Sequence, residues 1–148
     1  MTEVRPPLRV LIADDDDDFR RALEANLLDV AGIELVGSAR DGLEAVRLFA
    51  ELAPDVVLID VVMPRCDGVE ATKQILAIEP GARVIALTGA EDGRMLALCI
   101  AAGARGCLKK GPDAIPLVPL MLALAPAASR APYPRRADRP CPEETKAR

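Results

Sequence analysis

The sequence predicts an α/β domain built on a doubly wound, five-stranded parallel sheet. Three observations carry this. Short apolar runs alternate with stretches of helical apolar spacing, a rhythm that calls for parallel strands with helices on both faces. The runs Val10–Ala13, Val56–Ile59 and Val84–Leu87 are aliphatic throughout, as strands buried on both faces are. Each of these runs is followed by a residue suited to phosphate chemistry: Asp14 and Asp15, then Asp60, then Thr88, with Lys110 following the weaker run at 106–109.

Leu8 to Ala13 reads as the first strand. Phe19 to Leu28 is the first helix, with Phe19, Ala22, Leu23 and Leu27 at helical spacing. An Asp of the 15–18 run can cap it, because a carboxylate accepts hydrogen bonds from the free N–H groups of a first turn. Ile33 to Val36, after Gly32, is the second strand, and Asp41-Gly42 marks a turn. Leu43 to Leu52 is the second helix, with Leu43, Val46, Leu48 and Phe49 towards the core. Pro54 breaks the chain before Val56 to Val61, the most hydrophobic strand. A loop at Met63 to Gly68 leads to a third helix, Val69 to Ile78, stopped by Pro80-Gly81. Val84 to Leu87 is the fourth strand, Arg94 to Ala102 the fourth helix, stopped by Gly103, and 106–109 a short fifth strand.

The fifth helix is expected to be short or irregular. Pro116 and Pro119 fall within it, and a proline inside a helix costs about 3 kcal/mol or more. It should start near Pro116 or Pro119 and end before Pro126. The domain therefore spans 1–125. Residues 126–148, where Pro132, Pro134, Pro140 and Pro142 mix with charges, form a Pro/Arg-rich tail expected to be disordered.

The flavodoxin-like strand order 2-1-3-4-5 puts strands one and three on either side of the switch point, where open sheets bind ligands beyond the carboxyl ends of their strands. Asp14, Asp15 and Asp60 would meet there with a hydroxyl and an ammonium. That set can hold a divalent cation and a phosphoryl group.

Composition narrows the alternatives. Residues 1–125 carry 13 basic and 20 acidic side chains, a balance of −7, so the body would repel nucleic acid and direct nucleic-acid binding is not expected. Residues 126–148 carry 6 and 3, and read as a solvated basic tail without the apolar periodicity of a DNA-binding helix pair. No apolar stretch reaches the roughly 18 residues of a membrane span, and the N-terminus lacks a signal-peptide layout, so a cytoplasmic protein without membrane attachment is expected. The four cysteines form no C-x-x-C pair and there is no histidine, which excludes the usual zinc sites. Cys99 and Cys107 are expected to pack as small apolar groups.

The stretches LRVLIADDDDD, PDVVLIDVVMPRCDGVEAT, VIALTGAED and AGARGCLKK resemble the receiver domains of bacterial two-component response regulators. The resemblance covers roughly residues 8–125, and Asp-x-x-Met-Pro-x-x-Asp-Gly, beginning at Asp60, is its most specific motif. AGARG looks most like receivers that precede helix-turn-helix output domains; this chain has no evident room for one. The resemblance implies that Asp60 is the phosphoacceptor, taking a phosphoryl group from a sensor histidine kinase, a phosphotransfer protein or a small phosphodonor. It implies a Mg²⁺ site in which Asp15, Asp60 and the backbone carbonyl of Val62 ligate directly and Asp14 acts through water. Asp17 and Asp18 would serve the helix start, and Asp16 is open between the two roles. Thr88 would donate its hydroxyl to a phosphoryl oxygen and Lys110 would pair with another. Lys109 competes with Lys110. Strand alternation sends the two to opposite faces, so one can reach the site, and the family spacing Gly-Ala-x-Gly-x-x-x-Lys selects Lys110. The implied function is a switch read by a downstream protein that the sequence does not name, with no turnover beyond self-phosphotransfer and autodephosphorylation.

Three departures stand out. Cys107 occupies a position where many receivers carry Tyr or Phe, Gly111 separates Lys110 from Pro112, and the prolines interrupt the fifth helix. They spare the chemistry and bear on the readout. They also motivate an alternative, a degenerate receiver acting as a phosphate sink or constitutive binding module. A Mg²⁺-dependent aspartyl-phosphate phosphohydrolase fits less well, because such enzymes resemble this pattern but carry a second Asp two residues after the nucleophile, where Val62 stands.

Overall fold

Strands β1 (Leu8–Ala13), β2 (Ile33–Ala39), β3 (Val56–Asp60), β4 (Arg83–Thr88) and β5 (Gly106–Lys109) form one sheet in the order β2-β1-β3-β4-β5, each neighbouring pair parallel. Helices α1 (Asp17–Leu28), α2 (Gly42–Leu52), α3 (Gly68–Ile78) and α4 (Gly93–Ala101) connect them. The computed structural model describes residues 6–63, 65–89 and 93–111. The expected fifth helix and the tail lie outside the described residues.

Alternation along the strands builds two cores. Leu11, Ala13, Val57, Ile59, Val84 and Ala86 point to the face covered by α2, α3 and α4, where they meet Phe49, Ile75 and Cys99. Val10, Ile12, Val56, Leu58 and Leu87 point to the opposite face and meet Leu23 and Leu27 of α1. Apart from Arg9, the residues of β1 and the run Val56–Ile59 of β3 are buried, so none of them can turn to water without emptying a core.

Helix starts explain most differences from the sequence reading. Asp16 caps α1, accepting from the N–H groups of Asp18 and Phe19, so the helix begins at Asp17, before its first apolar residue. Asp41 and Asp67 cap α2 and α3 in the same way. Strand β2 runs three residues past Val36, because Gly37, Ser38 and Ala39 pair with Leu11, Ile12 and Ala13 beyond a register shift; pairing overrides their weak strand propensity. Two packing expectations fail. Leu43 is exposed, since it lies off the buried stripe Gly42, Ala45 and Phe49. Cys107 is exposed on the terminal strand β5, whereas Cys99 is fully buried.

Candidate functional site

Strand register assembles the site. Ala13 pairs with Ile59 across β1 and β3, so Asp14 and Asp60 follow as neighbours at the carboxyl ends. Asp60 pairs with Leu87, placing Thr88 one position further out. Thr88 pairs with Lys109, and the Lys110 N–H donates to the Thr88 carbonyl at 2.7 Å.

The side chains converge. Lys110 Nζ donates to Asp14 Oδ1 at 3.1 Å and to Asp60 Oδ2 at 3.2 Å. Lys109 is exposed, as alternation requires. One carboxylate oxygen from each of Asp14, Asp15 and Asp60 lies within 4.8 Å of the others, with Asp14 and Asp60 buried and Asp15 exposed. The Val62 N–H donates to Asp60 Oδ1 at 3.2 Å. The Val62 side chain is exposed beside Asp60. Thr88 is buried, and its hydroxyl donates to the Gly89 carbonyl at 3.0 Å.

The backbone around Asp60 is packed without slack. A Cβ on Gly68 would lie 2.3 Å from the Asp60 carbonyl oxygen and 2.7 Å from Val61 Cα. Glycine there lets the start of α3 rest against the end of β3. Gly42 plays the same part for the next loop, its missing Cβ falling 1.9 Å from the Cys66 carbonyl oxygen. The loop between β3 and α3 is also tied to α2 by Arg65, whose Nε and Nη2 donate to Asp41 Oδ2 at 3.1 and 2.6 Å.

Electrostatics follow from burial. Loss of water and the nearby Asp14 charge push the Asp60 carboxyl up to about 7, against the opposing pull of Lys110 and the Val62 N–H. Burial also raises Asp14, although the Asp16 N–H and Lys110 oppose it. Burial works against the Lys110 charge, but Asp60 and Asp14 outweigh it and hold the ammonium above its ordinary value. The site is therefore short of positive charge.

The residues fit a divalent cation. Asp14 Oδ2 is buried and accepts no hydrogen bond among the described residues. A buried carboxylate oxygen without a donor is costly unless a cation meets it. Clustered carboxylate oxygens are the donor set of Mg²⁺, which binds one or two carboxylates and keeps several waters.

Two residues at the site were not among the sequence candidates. Arg20 is buried and donates through Nη1 to the Asp14 backbone carbonyl at 2.9 Å, which fixes the turn after β1. Its other contacts are Asp17 at 2.6 Å and Glu24 at 3.7 Å. Phe19, read from the sequence as a core residue, places its ring centroid 5.1 Å from Lys110 Nζ. A basic residue on the first turn after an acidic run could have pointed to Arg20. Nothing in the sequence singled out Phe19 beyond its helical spacing.

Comparison with known proteins agrees with this geometry. The profile described as response regulator receiver domain matches residues 10–119. The response regulator GacA of Pseudomonas viridiflava is 40% identical over 104 residues, covering 70% of this chain and 49% of that protein. The chain thus spans about half the length of the first curated relatives it matches. The chemotaxis protein CheY of Thermotoga maritima is 38% identical over 102 residues, covering 69% of this chain and 84% of that one. Among solved structures, the CheX-CheY-BeF3-Mg²⁺ complex of Borrelia burgdorferi aligns with a TM-score of 0.71 at 27% identity, covering 82% of this chain and 92% of that one.

Proposed function

Because this chain belongs to the response regulator receiver domain family, the CheY-like receivers of two-component signal transduction, we propose that Asp60 is its phosphoacceptor and that Asp14, Asp15, Thr88 and Lys110 complete the site. The observation that carries this reading is the convergence of two buried carboxylates and one lysine at the carboxyl ends of β1, β3 and β5.

An Asp60 oxygen attacks the phosphorus of a phosphohistidine or a small phosphodonor, and the bond from phosphorus to the leaving group breaks. Transfer of this kind needs positioning and charge neutralisation more than covalent assistance. Oδ1 of Asp60 is held by the Val62 N–H and Oδ2 by Lys110, which fixes the plane of the carboxylate. Receiver domains bind Mg²⁺ at an acidic site of this kind, and here it would supply the positive charge the carboxylate cluster lacks. Asp15, Asp60 and the Val62 carbonyl would hold it directly, and Asp14 through water. Lys110 keeps its proton and meets a phosphoryl oxygen. Thr88 turns its hydroxyl from the Gly89 carbonyl to another phosphoryl oxygen.

The donor is a sensor histidine kinase or phosphotransfer protein, and the output a downstream protein that reads the shifted surface. The Borrelia relative was solved bound to CheX, which supports a protein partner of some kind. The chemistry is confined to self-phosphotransfer and autodephosphorylation. Among the described residues no helix is long and apolar enough to cross a membrane; we place the protein in the cytoplasm on the strength of its phosphodonor class.

Intact-mass spectrometry after incubation with acetyl phosphate, with and without Mg²⁺, tests the reading. A Mg²⁺-dependent gain of one phosphoryl group, lost in Asp60→Asn, is expected. An adduct that persists in Asp60→Asn moves the acceptor elsewhere, and no adduct from acetyl phosphate or kinase favours a constitutive binding module.

A further inference from the structure

Phe19 is one of two phenylalanines in the chain. Its ring centroid is 5.1 Å from Lys110 Nζ, within the roughly 6 Å at which the negative face of an aromatic ring attracts a cation. The ammonium has three N–H donors. Two contacts go to Asp14 Oδ1 and Asp60 Oδ2. The ring adds a third, without charge.

Both partners are anchored independently of that contact. The Phe19 N–H donates to Asp16 Oδ1 at 3.2 Å, so the cap of α1 sets where the side chain leaves the helix. The ring packs against the core on the α1 face of the sheet. Lys110 is held through its backbone N–H on the Thr88 carbonyl.

We propose that Phe19 is a positioning residue for phosphoryl transfer, its ring keeping the Lys110 ammonium at the site once the carboxylates are engaged elsewhere. The inference rests on the reading of Asp60 as acceptor. The carboxylates that hold Lys110 in this structure belong to the cluster a divalent cation would occupy. A bound cation weakens their hold and repels the ammonium. The ring is untouched by that competition, since it offers no oxygen to a metal. It also leaves the N–H donors free for a phosphoryl oxygen. A carboxylate in its place would hold Lys110 more firmly and repel the incoming phosphoryl group. During transfer the Asp60 oxygen–phosphorus bond forms as the donor's bond to phosphorus breaks. Lys110 keeps its proton and Phe19 exchanges nothing.

The test is a series of full-length proteins with one, two and three fluorines on the ring at position 19. Fluorination drains the negative face while nearly conserving shape. The phosphorylation rate with acetyl phosphate and Mg²⁺ should fall stepwise, to about a third to a tenth of the wild-type rate. Phe19→Leu should be comparably slow and Phe19→Tyr close to wild type. The same series at Phe49, buried on the opposite face, should leave the rate flat. The Lys110 Cε protons should be shifted upfield by the ring, a signature lost in Phe19→Leu and visible without any phosphodonor. A rate independent of fluorine count, in a series whose wild type is phosphorylated, overturns the inference alone. A wild type that gains no phosphoryl group while the upfield shift persists overturns the acceptor reading and the inference with it.

Discussion

Replacing Asp60 with asparagine should stabilise the metal-free protein at neutral and alkaline pH. The folded-state pKa of about 7 stands above the ordinary value of 3.8, so the folded protein holds a proton that the unfolded chain has released across that window. Stability of the wild type therefore falls as pH rises from about 4 to about 7 and stays low above it. Raising one pKa that far corresponds to about 4 kcal/mol. Burial raises the neighbouring Asp14 carboxyl as well, so the two titrate together, that figure is a ceiling for the pair, and about 2–4 kcal/mol is the expected gain for Asp60→Asn. The amide conserves the shape and an acceptor for Lys110, and below pH 5 it replaces a carboxyl that is already neutral. Urea denaturation in EDTA should show Asp60→Asn more stable by roughly 1–2 M in midpoint at pH 8, and nearly coincident curves at pH 4.5. Saturating Mg²⁺ should close the gap at pH 8, because the wild type gains more from a cation than a variant with one carboxylate fewer. A variant no more stable than wild type at pH 8 would refute the reasoning, as would an equal gain at both pH values.

Two further perturbations follow. Lys110→Ala should slow phosphorylation by acetyl phosphate by tenfold or more, and Lys109→Ala should leave it within about twofold, since only Lys110 touches the carboxylates; the reverse order in a mass-spectrometric time course would shift the register of β5. Gly68→Ala should destabilise by about 1–3 kcal/mol, because the new methyl meets the Asp60 carbonyl at 2.3 Å and α3 must back away. It should also weaken Mg²⁺ binding through displacement of Asp60, and an unchanged urea midpoint would refute the close approach.

The sheet was legible in the sequence because its three central strands, β1, β3 and β4, are buried on both faces. Such strands appear as aliphatic runs, and Val10–Ala13, Val56–Ile59 and Val84–Leu87 do so. The site was legible for the same reason, since a polar residue that ends such a run has nowhere to go but the carboxyl edge. Contacts that depend on where a helix lies over the sheet left no trace. Phe19 obeys the apolar spacing of α1 whether or not it meets a lysine. Gly42 belongs to an Asp-Gly pair that reads as a turn, yet the structure needs glycine there because the Cys66 carbonyl presses on it. The five-Asp run divided as its chemistry allows: Asp14 and Asp15 at the carboxylate cluster, Asp16 at the cap, Asp17 against Arg20, and Asp18 in the first turn. Leu43 and Cys107 were misplaced because hydrophobicity alone does not say which side of an element faces inward.

The salt bridge between Lys110 and Asp14 joins residues 96 positions apart. During synthesis at about 5–20 residues per second, Asp14 is added to the chain about 5–20 s before Lys110. Until β5 has paired, the acidic pocket lacks the ammonium that bridges the Asp14 and Asp60 carboxylates. A nascent or half-folded chain therefore carries Asp60 without the lysine that pairs with it. The lysine contact and the pairing of β5 with β4 thus form in one event, so a chain stopped short of β5 should take up a phosphoryl group more slowly than one that has paired it.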